Sequence, residues 1–274
     1  MLLEKTLNPS SKISLAEYLK KKAELQSQQQ NVPRKQYCFS CMRPIKNCLC
    51  ADILSFSPKI NVVILIHPME AKKEKLGTGR LSHLFLKNSK LIQGINFTND
   101  SQVNNLIQDS QNACYLLYPG EQSVNLSLSS ESVAQSPLAN DYKNQKNIYV
   151  FVIDGTWPCA KKMMKESKNL HSLKRISFNV EKKSMFAIKE QPGDFCLSTI
   201  ESIHLMLGLL EKNQLESPMP NRDQMLAVFQ KMIDFQLECA SDPNLPSYKR
   251  SKRPYKNSEE RTRSKKWETR KIIF

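Results

Sequence analysis

The chain has 274 residues, of which 40% are hydrophobic and 24% are charged, so it is long and apolar enough for one large folded domain with extensions. No apolar run approaches the roughly 20 residues that span a membrane, and the N-terminus lacks the basic and apolar regions of a secretion signal. With only 7 glycines the chain is not collagen-like. We therefore expect a cytoplasmic protein without membrane contacts, whose 8 cysteines stay reduced.

Positive charge is concentrated in three segments of a chain whose formal net charge is +15. Residues 248–274 carry 11 basic and 3 acidic side chains, residues 161–189 carry 9 and 2, and residues 1–35 carry 7 and 3. Such clusters predict a polyanionic partner such as nucleic acid, because each neutralised phosphate releases a counterion. The alternative is a solubility tail with solvated helix faces.

The order of apolar runs predicts an α/β domain. Strands are predicted at residues 60–66, 113–118, 147–153 and 173–178. Helices are predicted at 14–30, 197–211 and 221–240, and two more begin at Thr78, as the cap, and after Thr156. Residues 121–147 are predicted to form a surface loop. Because the longer strands are apolar on both faces and alternate with helices, we expect a mostly parallel sheet covered by helices on both faces.

Four cysteines lie within 13 residues and have the spacing of metal ligands: Cys38, Cys41, Cys48 and Cys50. A C-x-x-C turn brings two sulfurs to one tetrahedral ion, and the second pair completes the ligand set. Four protein ligands leave no open position, so a zinc ion here would be structural. Four independent cysteines or a redox pair are the alternatives.

Asp154, Gly155, Thr156 and Trp157 stand where a buried strand meets a helix. Ligands bind outside the carboxyl ends of strands in open α/β sheets, so Asp154 is expected to point into a cleft, with Trp157 as a stacking surface. Gly155 allows a tight turn and Thr156 can cap the helix. The alternative is that Asp154 is only a cap and Trp157 belongs to the core.

Two further polar groups follow the first predicted strand. Glu70 comes just after its end, and Arg80 follows near a helix start. Arg80 can bind a carboxylate or phosphate, or form a surface ion pair. No G-x-G-x-x-G, Walker, H-E-x-x-H or G-x-S-x-G motif is present, so the enzyme classes that depend on them lose their usual support.

Taken together, these motifs resemble the DTW-domain family, the tRNA-uridine aminocarboxypropyltransferases. The matching segments are D-x-T-W at 154–157, the cysteine pattern at 38–50, T-G-R-L at 78–81, Y-P-G at 118–120 and S-T-x-E at 198–201. They occur in order across most of the chain. Ser202 stands where the family often has alanine, a small departure.

The resemblance implies a SPOUT-like fold with a C-terminal knot. It also implies S-adenosylmethionine as the donor of a 3-amino-3-carboxypropyl group to N3 of a tRNA uridine, at variable-loop position 47 or in the D-loop, with release of methylthioadenosine. We divide the chain into an N-terminal helical extension (1–35), a zinc-binding motif (36–52), the DTW catalytic domain (53–245) and a basic tail (246–274); the resemblance does not cover the extension or the tail. tRNA is the expected partner, and no obligate protein partner is evident.

Site residues can be assigned on the resemblance and on the chemistry. Asp154 is the first candidate for the general base that deprotonates N3, and Glu70 is the second. The cofactor-binding set comprises Gly155, Thr156, Trp157, Tyr118, Pro119, Gly120, Ser198, Thr199, Glu201 and Arg80. The RNA-binding set comprises Lys161, Lys162, Lys165, Lys168, Arg250 and Arg253.

Two other functions are kept open. A SPOUT-type RNA methyltransferase would use the same donor, and no residue type fixes which carbon faces the nucleophile. A non-catalytic zinc-ribbon RNA-binding protein would use the cysteine motif and the basic segments alone.

Overall fold

The computed structural model describes residues 36–73, 77–186, 188, 193 and 196–241, and several residues between 14 and 24. Those described between 16 and 24 are helical and exposed, as predicted. The basic tail, with the predicted RNA contacts Arg250 and Arg253, lies outside the described residues. None of the helices in the described part of the chain combines the length and apolar character needed to cross a membrane.

A six-stranded sheet organises the described part of the chain. Its strands are β1 (Asn61–Ile66), β2 (Ser89–Gln93), β3 (Asn112–Leu117), β4 (Val124–Asn125), β5 (Asn147–Asp154) and β6 (Lys174–Ser177). They lie in the order β2-β1-β5-β3-β6-β4, and all neighbouring pairs are parallel. The prediction of an α/β fold with a parallel sheet is confirmed.

Helices connect the strands. They are α1 (Pro68–Lys73), α2 (Thr78–Phe85), α3 (Ser101–Gln108), α4 (Ser130–Ala134), α5 (Pro137–Lys143), α6 (Trp157–Glu166), α7 (Thr199–Lys212) and α8 (Gln224–Ser241). Short 3-10 turns occur at Ile45–Asn47, Cys50–Asp52 and Lys168–Leu170.

Each face of the sheet is buried under helices. Val62 and Ile64 of β1 belong to the larger apolar cluster, with side chains from α2, α7 and α8. Val63 and Leu65 belong to a second cluster, with side chains from α3 and α6. Successive side chains of a strand point to opposite faces, so β1 supplies both clusters. Because helices cover both faces, a ligand can reach the sheet only at its margins, which include the ends of the strands.

The four predicted strands are confirmed as β1, β3, β5 and β6. Strand β2 and helix α3 were not predicted, because β2 is an edge strand with mostly half-exposed side chains and α3 buries only Val103. The prediction that residues 121–147 are a loop was wrong: they contain β4, α4 and α5. Ser129 and Ser136 accept hydrogen bonds from the N–H groups of Ser132 and Ala139 and cap the two helices.

The expected cap of α2 also needs correction. Gly77 occupies the cap position, and Thr78 is the first residue inside the helix. Thr156 does stand at the cap position of α6, but its side chain makes no capping hydrogen bond, and Pro158 lies in the first turn as expected.

Candidate active site

A cavity of about 800 Å³ opens at the carboxyl ends of the strands β1, β3, β5 and β6. Its polar walls include Glu70, Thr78, Asp154, Ser198 and Thr199. Its apolar and aromatic walls include Tyr118, Trp157, Phe178, Val180, Phe186 and Leu197. Small-molecule and cofactor sites typically have volumes of roughly 300–1,000 Å³ and combine apolar walls with a few polar groups, as this cavity does.

Asp154 lies at the end of β5 and is only 4% exposed. One carboxylate oxygen, Oδ1, accepts a hydrogen bond of 2.5 Å from the hydroxyl of Thr199, the first residue of α7. The Asp154 carbonyl accepts a hydrogen bond of 2.9 Å from the backbone N–H of His67, just after β1. Asp154 therefore joins the ends of two strands to the start of a helix.

The second carboxylate oxygen of Asp154 packs against the first turn of α2. A Cβ atom on Gly79 would lie 2.5 Å from Asp154 Oδ2, far closer than real contacts allow. The absence of a side chain at Gly79 therefore lets the carboxylate approach the helix backbone. The N-termini of α2 and α7 both face this negative charge, and the helix dipoles stabilise it.

Glu70 supplies a second carboxylate to the cavity wall. It lies in the first turn of α1 and is 7% exposed. His67, between β1 and α1, is also buried, and its Nδ1 accepts a hydrogen bond of 3.2 Å from the N–H of Met69. The geometry thus places Glu70 at the cavity and gives His67 a structural partner.

The turn after Asp154 is tightly packed. A Cβ atom on Gly155 would lie 3.3 Å from Cys159 Cβ and 3.4 Å from His67 Cβ. Thr156 and Trp157 line the cavity as α6 begins. The structure therefore brings all four residues of the D-x-T-W segment to the cavity.

The Tyr118-Pro119-Gly120 segment forms another part of the rim. Tyr118 and Pro119 line the cavity, whereas Gly120 is not among the lining residues. Arg175 stacks over the Tyr118 ring at 5.6 Å and donates a hydrogen bond of 3.2 Å to the Pro119 carbonyl. Burial raises the pKa of Tyr118, and the charge of Arg175 partly opposes this shift. The side chain of Arg175 therefore holds the Tyr118-Pro119-Gly120 segment in place.

Glu201 lies outside the cavity and fixes two segments of its wall by hydrogen bonds. It is 7% exposed, and its oxygens accept hydrogen bonds from Ser198 N–H (2.8 Å), Ser198 Oγ (2.5 Å), Ser184 Oγ (2.6 Å) and Met185 N–H (2.7 Å). These bonds tie the start of α7 to the segment that carries Phe186, a wall residue. Glu201 is not itself a lining residue, so its predicted contact with a cofactor stays a prediction.

Arg80 also lies apart from the large cavity. It lines a small cavity of about 20 Å³ between α2 and the cysteine motif. Sequence reasoning missed Phe178, Phe186 and Cys196, which do line the large cavity. For Phe178 the signal was present, because it directly follows β6; Phe186 and Cys196 lie in a long connection without periodicity.

The four cysteines converge as the spacing predicted. Cys38 Sγ lies 3.7 Å from Cys50 Sγ, and Cys41 Sγ lies 3.7 Å from Cys48 Sγ. All four sulfurs lie within 4.8 Å of one another. Metal–sulfur bonds of about 2.3 Å in a tetrahedral site imply sulfur–sulfur edges of about 3.8 Å. The four thiols therefore have the geometry of a metal site. We call the segment that carries them, residues 36–50, the knuckle.

The surroundings of the knuckle shift the pKa values of its thiols in both directions. Hydrogen bonds from the backbone of Cys41 and Ser40 lower the pKa of the Cys38 thiol to about 6, whereas burial and the neighbouring thiols raise the pKa of Cys50. Arg43 is 5% exposed and lies near Cys41 and Cys48, where burial lowers its pKa and the sulfurs favour its charged form. A buried guanidinium beside the sulfurs offsets the negative charge of a thiolate cluster.

A basic surface continues from the cavity along α6. Lys161, Lys162 and Lys165 are exposed on this helix, and Lys168 is exposed in the 3-10 turn after it. Lys162 forms an ion pair of 3.8 Å with Glu166. Since α6 begins with the cavity residue Trp157, cationic side chains extend outward from the cavity.

Comparison with known proteins assigns the family. Residues 35–237 match the model of the DTW domain family, and the chain belongs to this family. A relative in Drosophila melanogaster, named tRNA-uridine aminocarboxypropyltransferase 2, is 35% identical over 185 residues, covering 65% of this chain and 68% of the relative. A Macaca fascicularis protein of the same name is 27% identical over 75% of this chain and 65% of its own length.

A plant relative matches over more of its length. The Arabidopsis thaliana protein named tRNA-uridine aminocarboxypropyltransferase A is 24% identical over 245 residues, covering 82% of this chain and 90% of the relative. The chain spans about two thirds of the length of the two animal relatives. No solved structure matches the chain.

We expect Gly79→Ala to disturb the site through its contact with Asp154. The added Cβ would force the Asp154 carboxylate away from α2 and weaken its bond to Thr199. The free energy of unfolding should fall by about 1–3 kcal/mol, which denaturant titration measures.

Gly208→Ala is the matched control for this substitution. Gly208 lies inside α7, and the atoms nearest to its added Cβ belong to the end of the Arg222 side chain, which can shift at the cost of its partly exposed ion pair with Glu211. Alanine is a better helix former than glycine by up to about 1 kcal/mol, which offsets this cost, so little change in stability is expected there. Equal stability of Gly79→Ala and the wild type would show that the carboxylate is not held against α2.

Proposed function

We propose that this protein transfers the 3-amino-3-carboxypropyl group of S-adenosylmethionine to N3 of a uridine in tRNA. The observation that supports this most directly is the position of the D-x-T-W segment: in a member of the DTW family, it brings Asp154 and Trp157 to the wall of a cofactor-sized cavity. The names of the relatives specify aminocarboxypropyl transfer to a uridine of tRNA. The target is the uridine at variable-loop position 47 or one in the D-loop.

The cavity suits S-adenosylmethionine in size and in character. Its apolar and aromatic walls fit an adenosine, and its volume leaves space for a second base. The donor supplies an activated carbon next to a cationic sulfonium. Asp154, Glu70 and the ring of Trp157 offer negative charge and a π-face to such a cation.

The donor's own carboxylate needs hydrogen-bond donors at the wall. The N-terminus of α7 lies there, and its capping box already engages the N–H groups of Ser198 and Glu201. The hydroxyls of Ser198 and Thr199 donate to Glu201 and Asp154, so the N–H groups of Thr199 and Ile200 in the first turn of α7 are the better candidates for this contact.

Asp154 acts as the general base in this proposal. N3 of uridine must lose its proton before it attacks, and a carboxylate can keep one hydrogen bond while another lone pair accepts a proton. The Thr199 hydroxyl and the first turn of α2 fix the carboxylate in place. Glu70 is the second candidate, because it lines the same cavity.

tRNA binds, in this proposal, across the surface of α6. Lys161, Lys162, Lys165 and Lys168 neutralise backbone phosphates, while the target base leaves its stack to enter the cavity. The basic tail, with Arg250 and Arg253, adds phosphate contacts. Arg80, Gly120 and Glu201 belong to the proposed cofactor-binding set as well, although none of them lines the cavity.

The remaining features of the proposal are the type of sheet, the division of the chain and the location of the protein. The sheet is of the SPOUT type with a C-terminal knot. This is supported by the path of the chain after β6, which returns to β5 and places Thr199 against Asp154. Residues 1–35 form an extension, 36–52 a zinc motif, 53–245 the catalytic domain and 246–274 a tail. The location is cytoplasmic, where its free thiols are stable.

The decisive test is the product. Full-length protein, unmodified tRNA and S-adenosylmethionine are incubated, and the nucleosides and the small-molecule product are identified by mass. We expect an aminocarboxypropyl uridine together with methylthioadenosine.

The other outcomes identify the rival functions. A methyl adduct with S-adenosylhomocysteine would show an RNA methyltransferase. Bound tRNA without any adduct would show a non-catalytic RNA-binding protein.

Asp154→Asn should reduce turnover by at least about a hundredfold, because the amide cannot accept the proton of N3. The amide oxygen can still accept the hydrogen bond of Thr199, so the fold should be kept. Because the charge is lost, thermal stability and S-adenosylmethionine affinity should fall, but far less than turnover at saturating donor. Single-turnover rates and calorimetric binding measure the two effects. Glu70→Gln is the matched variant; if it loses turnover while Asp154→Asn keeps it, Glu70 is the base.

Zinc should copurify at about one ion per chain, bound by the four cysteines of the knuckle. Cys41→Ser should lose the metal and destabilise the knuckle, since Cys41 is buried. Cys114→Ser is the control, because Cys114 lies in β3, outside the knuckle. Elemental analysis of protein purified without chelators decides this, and metal-free wild type would contradict a zinc site.

A further inference from the structure

Phe39 lies on the knuckle with its side chain in solvent. It is 96% exposed, although burying an aromatic ring is among the largest sources of apolar stabilisation. Tyr37, Met42 and Ile45 of the same segment are also exposed, by 36%, 46% and 56%. None of these four side chains is needed to fill the core, so folding does not explain why the knuckle presents them.

The backbone under these side chains is tightly fixed. The knuckle is a hairpin in which Cys38 N–H donates to Arg43 O (2.7 Å) and Ile45 N–H donates to Gln36 O (2.9 Å). Phe39 lies between Cys38 and Cys41, two ligands of the proposed metal site. A fixed backbone lowers the entropy lost when a partner binds, so Phe39 is well suited as a preformed contact.

The sequence around Phe39 has the charge that favours a polyanion. Residues 25–51 contain 4 basic side chains and no acidic one, and of the basic ones Arg43 is buried near Cys41 and Cys48. Lys46 is exposed next to Ile45, and Arg34 and Lys35 precede the knuckle in the sequence. Asp52, the next acidic residue, is paired with Lys231 at 2.8 Å. Aromatic rings among basic side chains are the usual surface for single-stranded nucleic acid.

The knuckle is close to the proposed active site. Cys41 and Arg43 share a small cavity with Gly77, Arg80 and Leu81 at the start of α2. The same first turn of α2 contacts the Asp154 carboxylate through Gly79. The knuckle and the Asp154 carboxylate thus contact the same turn of α2, a helix about 10–12 Å in diameter with its side chains. Stacking on Phe39 requires a tRNA at the large cavity to extend past this turn.

We propose that Phe39 is a stacking site for an unpaired base of the tRNA, next to the base that enters the cavity. This inference rests on the proposed function for its RNA partner. It assigns the knuckle a role in substrate binding beyond its role in holding the fold. Stacking accepts any base, so Phe39 adds affinity without selecting a sequence.

The test compares four variants of the full-length, metal-containing protein for binding of an unmodified tRNA transcript over a salt series. Phe39→Ala and Phe39→Leu should weaken binding between about fivefold and a hundredfold, whereas Phe39→Trp should bind like the wild type. Leu54→Ala removes another exposed apolar side chain, outside the hairpin, and should have no effect. The salt dependence should be the same in all variants, because no phosphate contact is removed.

Several results would overturn this inference. Wild-type affinity in Phe39→Ala would show that no base stacks there. Wild-type affinity in Phe39→Leu, with loss in Phe39→Ala, would show an apolar contact without stacking. Unchanged metal content and melting temperature in the variants exclude a folding defect.

The inference and the proposed function fail separately. If the wild-type protein forms no adduct, the proposed function is contradicted. The tRNA affinities of the wild type and the Phe39 variants still decide the role of Phe39. A wild-type protein that forms the adduct, with unchanged binding in Phe39→Ala, contradicts only the stacking site.

Discussion

The hydrogen bond between the Thr199 hydroxyl and the Asp154 carboxylate connects the parts of the site. A buried carboxylate is unfavourable unless polar groups surround it, and here the starts of α2 and α7 surround it. The segments at 78–81, 154–157 and 198–201 are far apart in the sequence, yet they meet at this one charge. The resemblance between the motifs and a known family therefore has a physical basis: each segment supplies one side of the same contact.

A second carboxylate, that of Glu201, supports the first. Its four hydrogen bonds fix the start of α7 and the segment around Phe186, so they set both the position of Thr199 and one wall of the cavity. Asp154 faces the cavity, while Glu201 is enclosed behind it. Two acidic residues of similar burial thus have different surroundings, because Asp154 lines the cavity and Glu201 is bound by neighbouring protein groups.

The central strands could be predicted from the sequence, because both of their faces are buried and their apolar runs are continuous. Strand β2 was missed because its side chains are mostly half exposed, and α4 and α5 were missed because polar caps resemble loop residues. In the site, strand ends pointed to Asp154 and Glu70, and spacing pointed to the cysteines. The contact of Gly79 with the carboxylate depends on tertiary packing, which no local pattern contains.

The distribution of charge separates the two substrates that the proposed reaction needs. Inside the cavity the ionisable wall residues include Asp154 and Glu70, and outside it α6 presents exposed lysines. A sulfonium donor is attracted to the interior carboxylates, whereas a phosphate backbone is repelled by them and held by the lysines. Only the neutral base of a nucleotide can then enter without an electrostatic penalty. We infer that this arrangement keeps the tRNA backbone at the surface while it exposes a single uridine to the buried donor.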